Sequence, residues 1–156
     1  MRYNELEGRD RMEVRFKIAE EKNIEGIIDL CNSCFDEDTP LEYAMEVFGR
    51  TKNTGRDIYI VGLVDEEVIA HAKITIVETM YQPMMTYAIL NHVCVKPDYR
   101  RFKIATHMLT EIQNICKKKG CVKLELWSNN VRVAAHACYK RFGFTLDDAG
   151  FFSKKI

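Results

Sequence analysis

From Thr86 to Val95 the chain has the composition of a β-strand, and after Lys96-Pro97-Asp98 its period changes. Between Arg101 and Lys119 the apolar residues Phe102, Ile104, Ala105, Met108, Leu109, Ile112, Ile115 and Cys116 recur at helical spacing. A strand that runs straight into a long amphipathic helix leaves an apolar stripe to be buried against a sheet. This points to an α/β or α+β architecture with helices on the sheet's faces. The last turn of that helix is rich in lysine and is followed by Gly120, which suits the negative end of the helix dipole and a C-terminal stop.

The other segments extend the pattern. Val14, Phe16 and Ile18 alternate with charged residues over Met12 to Ile18, a strand with one wet face. Ala19 to Phe35 carries Ile24, Ile27, Ile28, Cys31 and Phe35 at helical spacing, and Thr39-Pro40 opens a second helix with Leu41, Met45 and Phe48 on one face. Gly49 to Arg56 reads as a loop. Ile58 to Val64 and Glu67 to Thr79 flank Asp65-Glu66 as the two arms of a tight hairpin, and Pro83 marks a second turn. Cys121 to Trp127 alternates again, Val131 to Phe142 is helical and closed by Gly143, and Phe144 onward supports one or two short final strands. The expected order is βα(α)βββαβαβ. Trp127 and the phenylalanines are expected in the core.

Composition narrows the function. A chain of 156 residues, 47% apolar, can bury a full core as one domain without metal or disulfide staples. The expected organisation is an N-terminal extension over residues 1–11 and a single domain over 12–156. Lys plus Arg number 23 and Asp plus Glu 23, which argues against a domain built to hold nucleic acid or an anionic membrane. No apolar run is long enough to span a bilayer and no hydrophobic leader precedes the domain, so a cytoplasmic location is expected. The six cysteines are then expected as free thiols. Cys31-x-x-Cys34 lacks a second pair at zinc spacing, and no metal is expected.

Chemistry concentrates where the strand meets the long helix. Such a turn gathers unpaired backbone N–H groups and the positive end of the helix dipole, a setting for phosphate, and Arg100, Arg101 and Lys103 add three cations there. The run Arg100-Arg101-Phe102-Lys103-Ile104-Ala105 resembles the Arg/Gln-x-x-Gly-x-Gly/Ala motif of the GNAT superfamily of N-acetyltransferases, with Lys103 at the usual glycine. A left-handed backbone at Lys103 would cost roughly 1–2 kcal/mol, a helical one nothing. Arg132-Val133-Ala134-Ala135-His136-Ala137-Cys138-Tyr139-Lys140-Arg141-Phe142-Gly143-Phe144 is similar to the Arg-x-x-Ala-His-x-x-Tyr-x-x-x-Gly-Phe signature of members that act on small amines.

The resemblance implies the GNAT fold, a mixed central sheet of about six or seven strands flanked by about four helices. It also implies transfer of acetyl from acetyl-coenzyme A directly to the primary amine of a small molecule. Carried onto this chain, Val93, Cys94, Val95, Arg100, Arg101, Phe102, Lys103, Ile104, Ala105, Thr106, Arg132, Ala135 and Tyr139 hold the coenzyme, with strand N–H groups around Val93 to Val95 serving the oxyanion. Tyr139 is the implied proton donor to the leaving thiolate, or else an amphipathic core tyrosine. Asn91 stands where related sequences often have Glu. His92 is then the candidate base, because an ordinary histidine titrates near neutrality, unless it is only structural. Glu78, Glu125 and Asp36 could act through water. His136 belongs to the signature as a packing or capping residue, and His71 and His107 have no motif support. Met80, Met84 and Met85 either line an acceptor pocket or cover the sheet. The alternatives are a catalytically silent acyl-coenzyme A-binding module and a protein or peptide N-acetyltransferase. A homodimer paired through sheet edges completes the expectation.

Overall fold

The computed structural model describes residues 2–5, 12–82 and 85–156. Among them, six strands and four α-helices come in the order β1 (Arg2–Glu5), β2 (Met12–Ile18), α1 (Ile24–Phe35), α2 (Leu41–Thr51), β3 (Asp57–Val64), β4 (Glu67–Glu78), β5 (Thr86–Val95), α3 (Ile104–Lys118), β6 (Lys123–Leu126) and α4 (Val133–Phe142). The strands lie in the sheet in sequence order. Neighbours are antiparallel from β1 to β5, and the last pair, β5 with β6, is parallel. A parallel pair cannot be joined by a tight turn, and α3 is the crossover that joins this one.

Two apolar layers form, one on each face of the sheet. Ile58, Ile60, Ile74 and Leu90 pack with Met108, Leu109 and Ile112 of α3, whereas Val61, Leu63 and Cys94 pack with Ile24, Ile27 and Leu30 of α1 and Phe48 of α2. β3 and β4 are buried almost continuously as a result, because both faces of these strands are covered. Asp65 (φ 46°) and Glu66 (φ 66°) make the β3–β4 turn with two left-handed residues, the geometry whose twist matches the flanking strands. Gly62 is required by a close approach: a Cβ there would stand 2.9 Å from the Phe16 ring and 3.0 Å from the Ala70 Cβ.

His71 of β4 is 3% exposed, with Nδ1 2.9 Å from the Ile60 carbonyl oxygen. Burial pushes its pKa down to about 4 against the ordinary 6.5, so the folded protein keeps it neutral. Between these two values the unfolded chain binds a proton that the folded chain does not. Stability is therefore at its full value above pH 6.5 and falls as pH drops toward 4. The loss expected from this one group is about 3 kcal/mol. Urea unfolding at a series of pH values measures it, and a His71→Gln variant should lose most of the slope between pH 6.5 and 4.

Several boundaries differ from those read in the sequence. Four residues of the segment assigned to an extension, Arg2–Glu5, form β1 against β2. The expected loop from Gly49 begins later, because α2 continues to Thr51, whose hydroxyl bonds the Val47 carbonyl (2.8 Å) and the Tyr59 hydroxyl (2.8 Å). Pro40 is the residue before α2 rather than its first residue. The long helix starts at Ile104 instead of Arg101, since Arg101 and Lys103 are left-handed. No strand forms from Phe144 onward. Asp147-Asp148 and Gly150 interrupt its apolar alternation, every residue from Thr145 to Ile156 is exposed, and the sheet stays at six strands. The turn expected at Pro83, and Met84 beside it, lie outside the described residues.

Candidate active site

The site begins with a defect in β5. Opposite His71 and Lys73 of β4 stand Cys94 and Asn91 of β5, so β5 carries one residue more than its partner over this stretch. The extra residue falls at His92, whose φ of 51° is left-handed. Such a bulge re-aims side chains and increases the local twist. On its other side β5 pairs with β6 only from Tyr87 to Leu90, and β6 ends at Leu126. Beyond Leu90 that edge of β5 therefore faces no strand among the described residues.

A pocket of about 270 Å³ occupies the gap. Asn91, His92 and Val93 of β5 form one wall, and Leu126, Trp127, Ser128 and Asn129 at the end of β6 form another. Arg132, the residue before α4, with Ala135 and Tyr139 of α4, closes it on the third side, with Phe35 and Glu37 on the fourth. The spacing of Arg132, Ala135 and Tyr139 by three and four residues puts all three on the same helix face.

Glu37 reaches the pocket because α1 stops abruptly. Asp36 caps the helix in a left-handed conformation (φ 56°), and Asn32 holds the turn beyond it: its side chain accepts from Thr39 N–H (3.0 Å) and donates to the Thr39 carbonyl (3.3 Å). The Glu37 carboxylate oxygens then lie 3.2 and 3.3 Å from His92 Nε2. The Phe35 ring meets the His92 ring edge-on at 5.1 Å, and the Arg132 guanidinium stacks 4.6 Å from the same Phe35 ring. The carboxylate can only accept, so Nε2–H donates to Glu37 and Nδ1 is the ring nitrogen left for another partner. Tyr139 is half-buried against Phe144 (5.8 Å, edge to face). Burial, with Cys138 adding and Arg132 opposing, pushes its phenol above the usual tyrosine range. The phenol is therefore protonated at neutral pH.

The strand-to-helix turn is fastened in place. Lys96 pairs with Glu67 of β4, and Tyr99 donates to the same carboxylate at 3.3 Å. Arg100 Nε donates to the Val95 carbonyl at 3.0 Å. Ile104 is buried and Phe102 packs on the core, whereas Arg100, Arg101, Lys103 and Thr106 are exposed around the start of α3 and Ala105 is partly so. No side-chain cap bond is made at that helix start, and three cationic side chains stand about it. Lys103 has φ 54° and Arg101 φ 71°, and the loop thus carries two side chains in the conformation that glycine adopts without strain. Lys103→Gly is expected to raise stability by about 1 kcal/mol, read as a rise in the thermal midpoint of about 3 °C; a fall would show that the lysine's contacts outweigh the strain.

The structure thus brings Asn91, His92, Val93, Arg132, Ala135 and Tyr139 to one pocket and sets the Arg100 to Thr106 loop at the far end of β5. Cys94 and Val95 do not line the pocket: Cys94 is buried on the α1 side and Val95 in the α3 layer. Of the other residues raised as bases, Glu125 is paired with Lys123 (2.5 Å), and neither it, Glu78 nor Asp36 lines the pocket. Met80 and Met85 are exposed away from it, and His136 has a buried Nε2 without a partner. Trp127, expected in the core, is 58% exposed at the pocket edge against Phe151, because β6 has ended one residue before it. Phe151 and Phe152 are exposed as well. Sequence reasoning missed Glu37 and Phe35 as site residues. The acidic run Asp36-Glu37-Asp38 after a helix was the available signal, but it reads equally as a solvated turn.

A bulged strand thus parts from its parallel neighbour, and a helix start without a side-chain cap follows it. The acetyltransferase (GNAT) family profile matches residues 24–144, and the chain belongs to that family. Its fold is the GNAT fold. A protein from Clostridium acetobutylicum described as a predicted acetyltransferase and solved with acetyl-CoA is 17% identical and superposes with a TM-score of 0.76 over 90% of this chain and 96% of that one. An aminoglycoside N-acetyltransferase in complex with CoA is 15% identical with a TM-score of 0.81, covering 96% of this chain and 99% of that one. Glucosamine-6-phosphate N-acetyltransferase from Arabidopsis thaliana is 14% identical with a TM-score of 0.79, covering 90% and 97%. At these identities the likeness is one of fold. Among curated proteins none matches the chain. No helix among the described residues is long and apolar enough to cross a membrane.

Proposed function

We propose that this protein transfers the acetyl group of acetyl-coenzyme A to the primary amine of a small, cationic molecule. The carrying observation is that one pocket holds a carboxylate-bound histidine, His92 with Glu37, and a protonated phenol, Tyr139. The residues fit the cosubstrate. The uncapped start of α3, with Arg100, Arg101 and Lys103, offers N–H donors and positive charge to a pyrophosphate, and the open edge of β5 offers backbone groups to an amide-bearing arm. When bound, acetyl-coenzyme A supplies an activated thioester.

The chain's own groups supply the rest. An alkyl ammonium with a pKa near 10.4 must lose a proton before it can attack, at a cost of about 4.6 kcal/mol at pH 7. His92 accepts that proton at Nδ1 while Glu37 holds the ring and supports the imidazolium that forms. A backbone N–H of β5 at or beside Val93, the last residue of that strand to line the pocket, serves the developing oxyanion in this reading. Tyr139 protonates the leaving sulfur. Glu37 gives the pocket negative charge, Asn91 and Asn129 add hydrogen-bonding groups, and the Phe35 and Trp127 rings offer faces to a cation.

Titration calorimetry with acetyl-coenzyme A followed by thiol release across a panel of amines tests the reading. Saturable one-to-one binding with turnover of diamines or amino sugars is expected. Binding without turnover of any amine would instead support a silent acyl-coenzyme A-binding module, and no binding at millimolar cosubstrate would overturn the reading altogether. Glu37→Gln should lower kcat by about tenfold with little change in coenzyme affinity. An unchanged kcat would remove Glu37 from the mechanism.

A further inference from the structure

On the face of β5 turned away from the pocket, three sulfurs meet. Cys31 and Cys34 lie one turn apart near the end of α1, and the Cys94 thiol touches both of them. Cys31 and Cys94 are buried, and Cys34 is partly exposed. Cys34 Sγ–H donates to the Val95 carbonyl (3.9 Å), and Arg100 Nη2 donates to Cys34 Sγ (3.8 Å). Cys34 is thus the one of the three sulfurs that solvent reaches, and a guanidinium lies against it. The hydrogen bond with Cys31, together with burial, pushes the Cys94 thiol far up, so it stays protonated. Among the described residues no group of three or more His, Cys, Asp or Glu side chains is arranged to hold a metal ion.

We propose that Cys34 and Cys94 form a peroxide-responsive modification site, Cys34 being attacked first and Cys94 resolving it. The Cys34 sulfur attacks one oxygen of a hydroperoxide. The O–O bond breaks, the sulfur becomes sulfenic acid, and the other oxygen leaves as water or alcohol. As the sulfenic oxygen takes the Cys94 proton, the Cys94 sulfur attacks the Cys34 sulfur, the S–O bond breaks and water leaves. Two thiols lose two electrons and one disulfide forms. Cys31 and Cys34 share one helix, so only a bond to Cys94 ties α1 to β5. That bond consumes the S–H that donates to the Val95 carbonyl, which Arg100 also contacts, and turns the sulfur to which Arg100 donates toward Cys94. The effect on the coenzyme loop rests on the function proposed above; formation of the disulfide does not.

The test treats the intact protein with hydrogen peroxide and reads mass and coenzyme A binding separately. The expected result is a loss of about 2 Da, with fragmentation placing the link between Cys34 and Cys94. The oxidised protein should bind coenzyme A about tenfold more weakly by calorimetry, with recovery after dithiothreitol. Cys34→Ser should abolish the link while keeping the affinity of the reduced protein. Thiols left intact, Cys34 carried straight to sulfinic acid, a link confined to Cys116 and Cys121, or a Cys31–Cys94 link that persists in Cys34→Ser would each overturn the proposal. A Cys34–Cys94 link with unchanged coenzyme binding would overturn the coupling to Arg100. Failure of the reduced protein to bind coenzyme A would count against the coenzyme site alone, since the mass readout does not depend on it.

Discussion

Tyr139→Phe should lower kcat about 100-fold while leaving the affinity for acetyl-coenzyme A within about twofold. The substitution keeps the ring and its edge-to-face contact with Phe144, so it removes only the hydroxyl. The departing thiolate, with a pKa near 8.5, then leaves without a proton partner, and the loss appears in the step that breaks the thioester. Burial holds Tyr139 protonated across the working pH range, so the deficit should be nearly constant from pH 6 to 9. Steady-state kinetics beside calorimetry separates the two quantities. A rate within a factor of about three of the parent would reduce Tyr139 to a packing residue.

Ile112→Ala is expected to be the most destabilising of the simple substitutions, by about 4 kcal/mol, or about 10 °C in the thermal midpoint. Ile112 has no exposed surface and sits in the layer where α3 meets the sheet. The cavity left behind is walled by regular elements that cannot collapse into it. Ile18, on β2 but 58% exposed, is the matched control: Ile18→Ala should stay within about 0.5 kcal/mol. Urea unfolding of both variants checks the pair. Similar losses at the two positions would mean that α3 is not the packed anchor of the turn that carries Arg100 to Thr106.

Local pattern carried much of the architecture. The limits of β2, β5 and the end of α1 match the period-2 and helical runs that announce them, and the β3–β4 hairpin turns at Asp65-Glu66. These elements are bounded by a change of period or by turn residues, both properties of neighbours in sequence. Where the period continued but the partner was missing, the reading failed. Phe144 onward has strand-like residues and forms no strand, and Trp127 lies just past the end of a four-residue strand and is exposed. Burial depends on what lies opposite, and that is set by tertiary packing.

The candidate site divides along the same line. Arg100 to Ala105 and Arg132 to Tyr139 were legible as motifs because a helix start and a helix face are built from residues close in sequence. Glu37 was not legible: it lies 55 residues from His92 in the chain, and it meets the imidazole only because Asp36 ends α1 in a left-handed turn and Asn32 fastens the chain at Thr39 just beyond. The backbone at Lys103 was likewise undetermined until the structure showed it left-handed. By itself, then, the sequence determined most of the elements, the strand-to-helix turn with its three cations and the helix that carries Tyr139. Only the tertiary structure decided that a bulge at His92 and the early end of β6 would open a pocket between them. An extra residue in one strand has meaning only against the register of its neighbour.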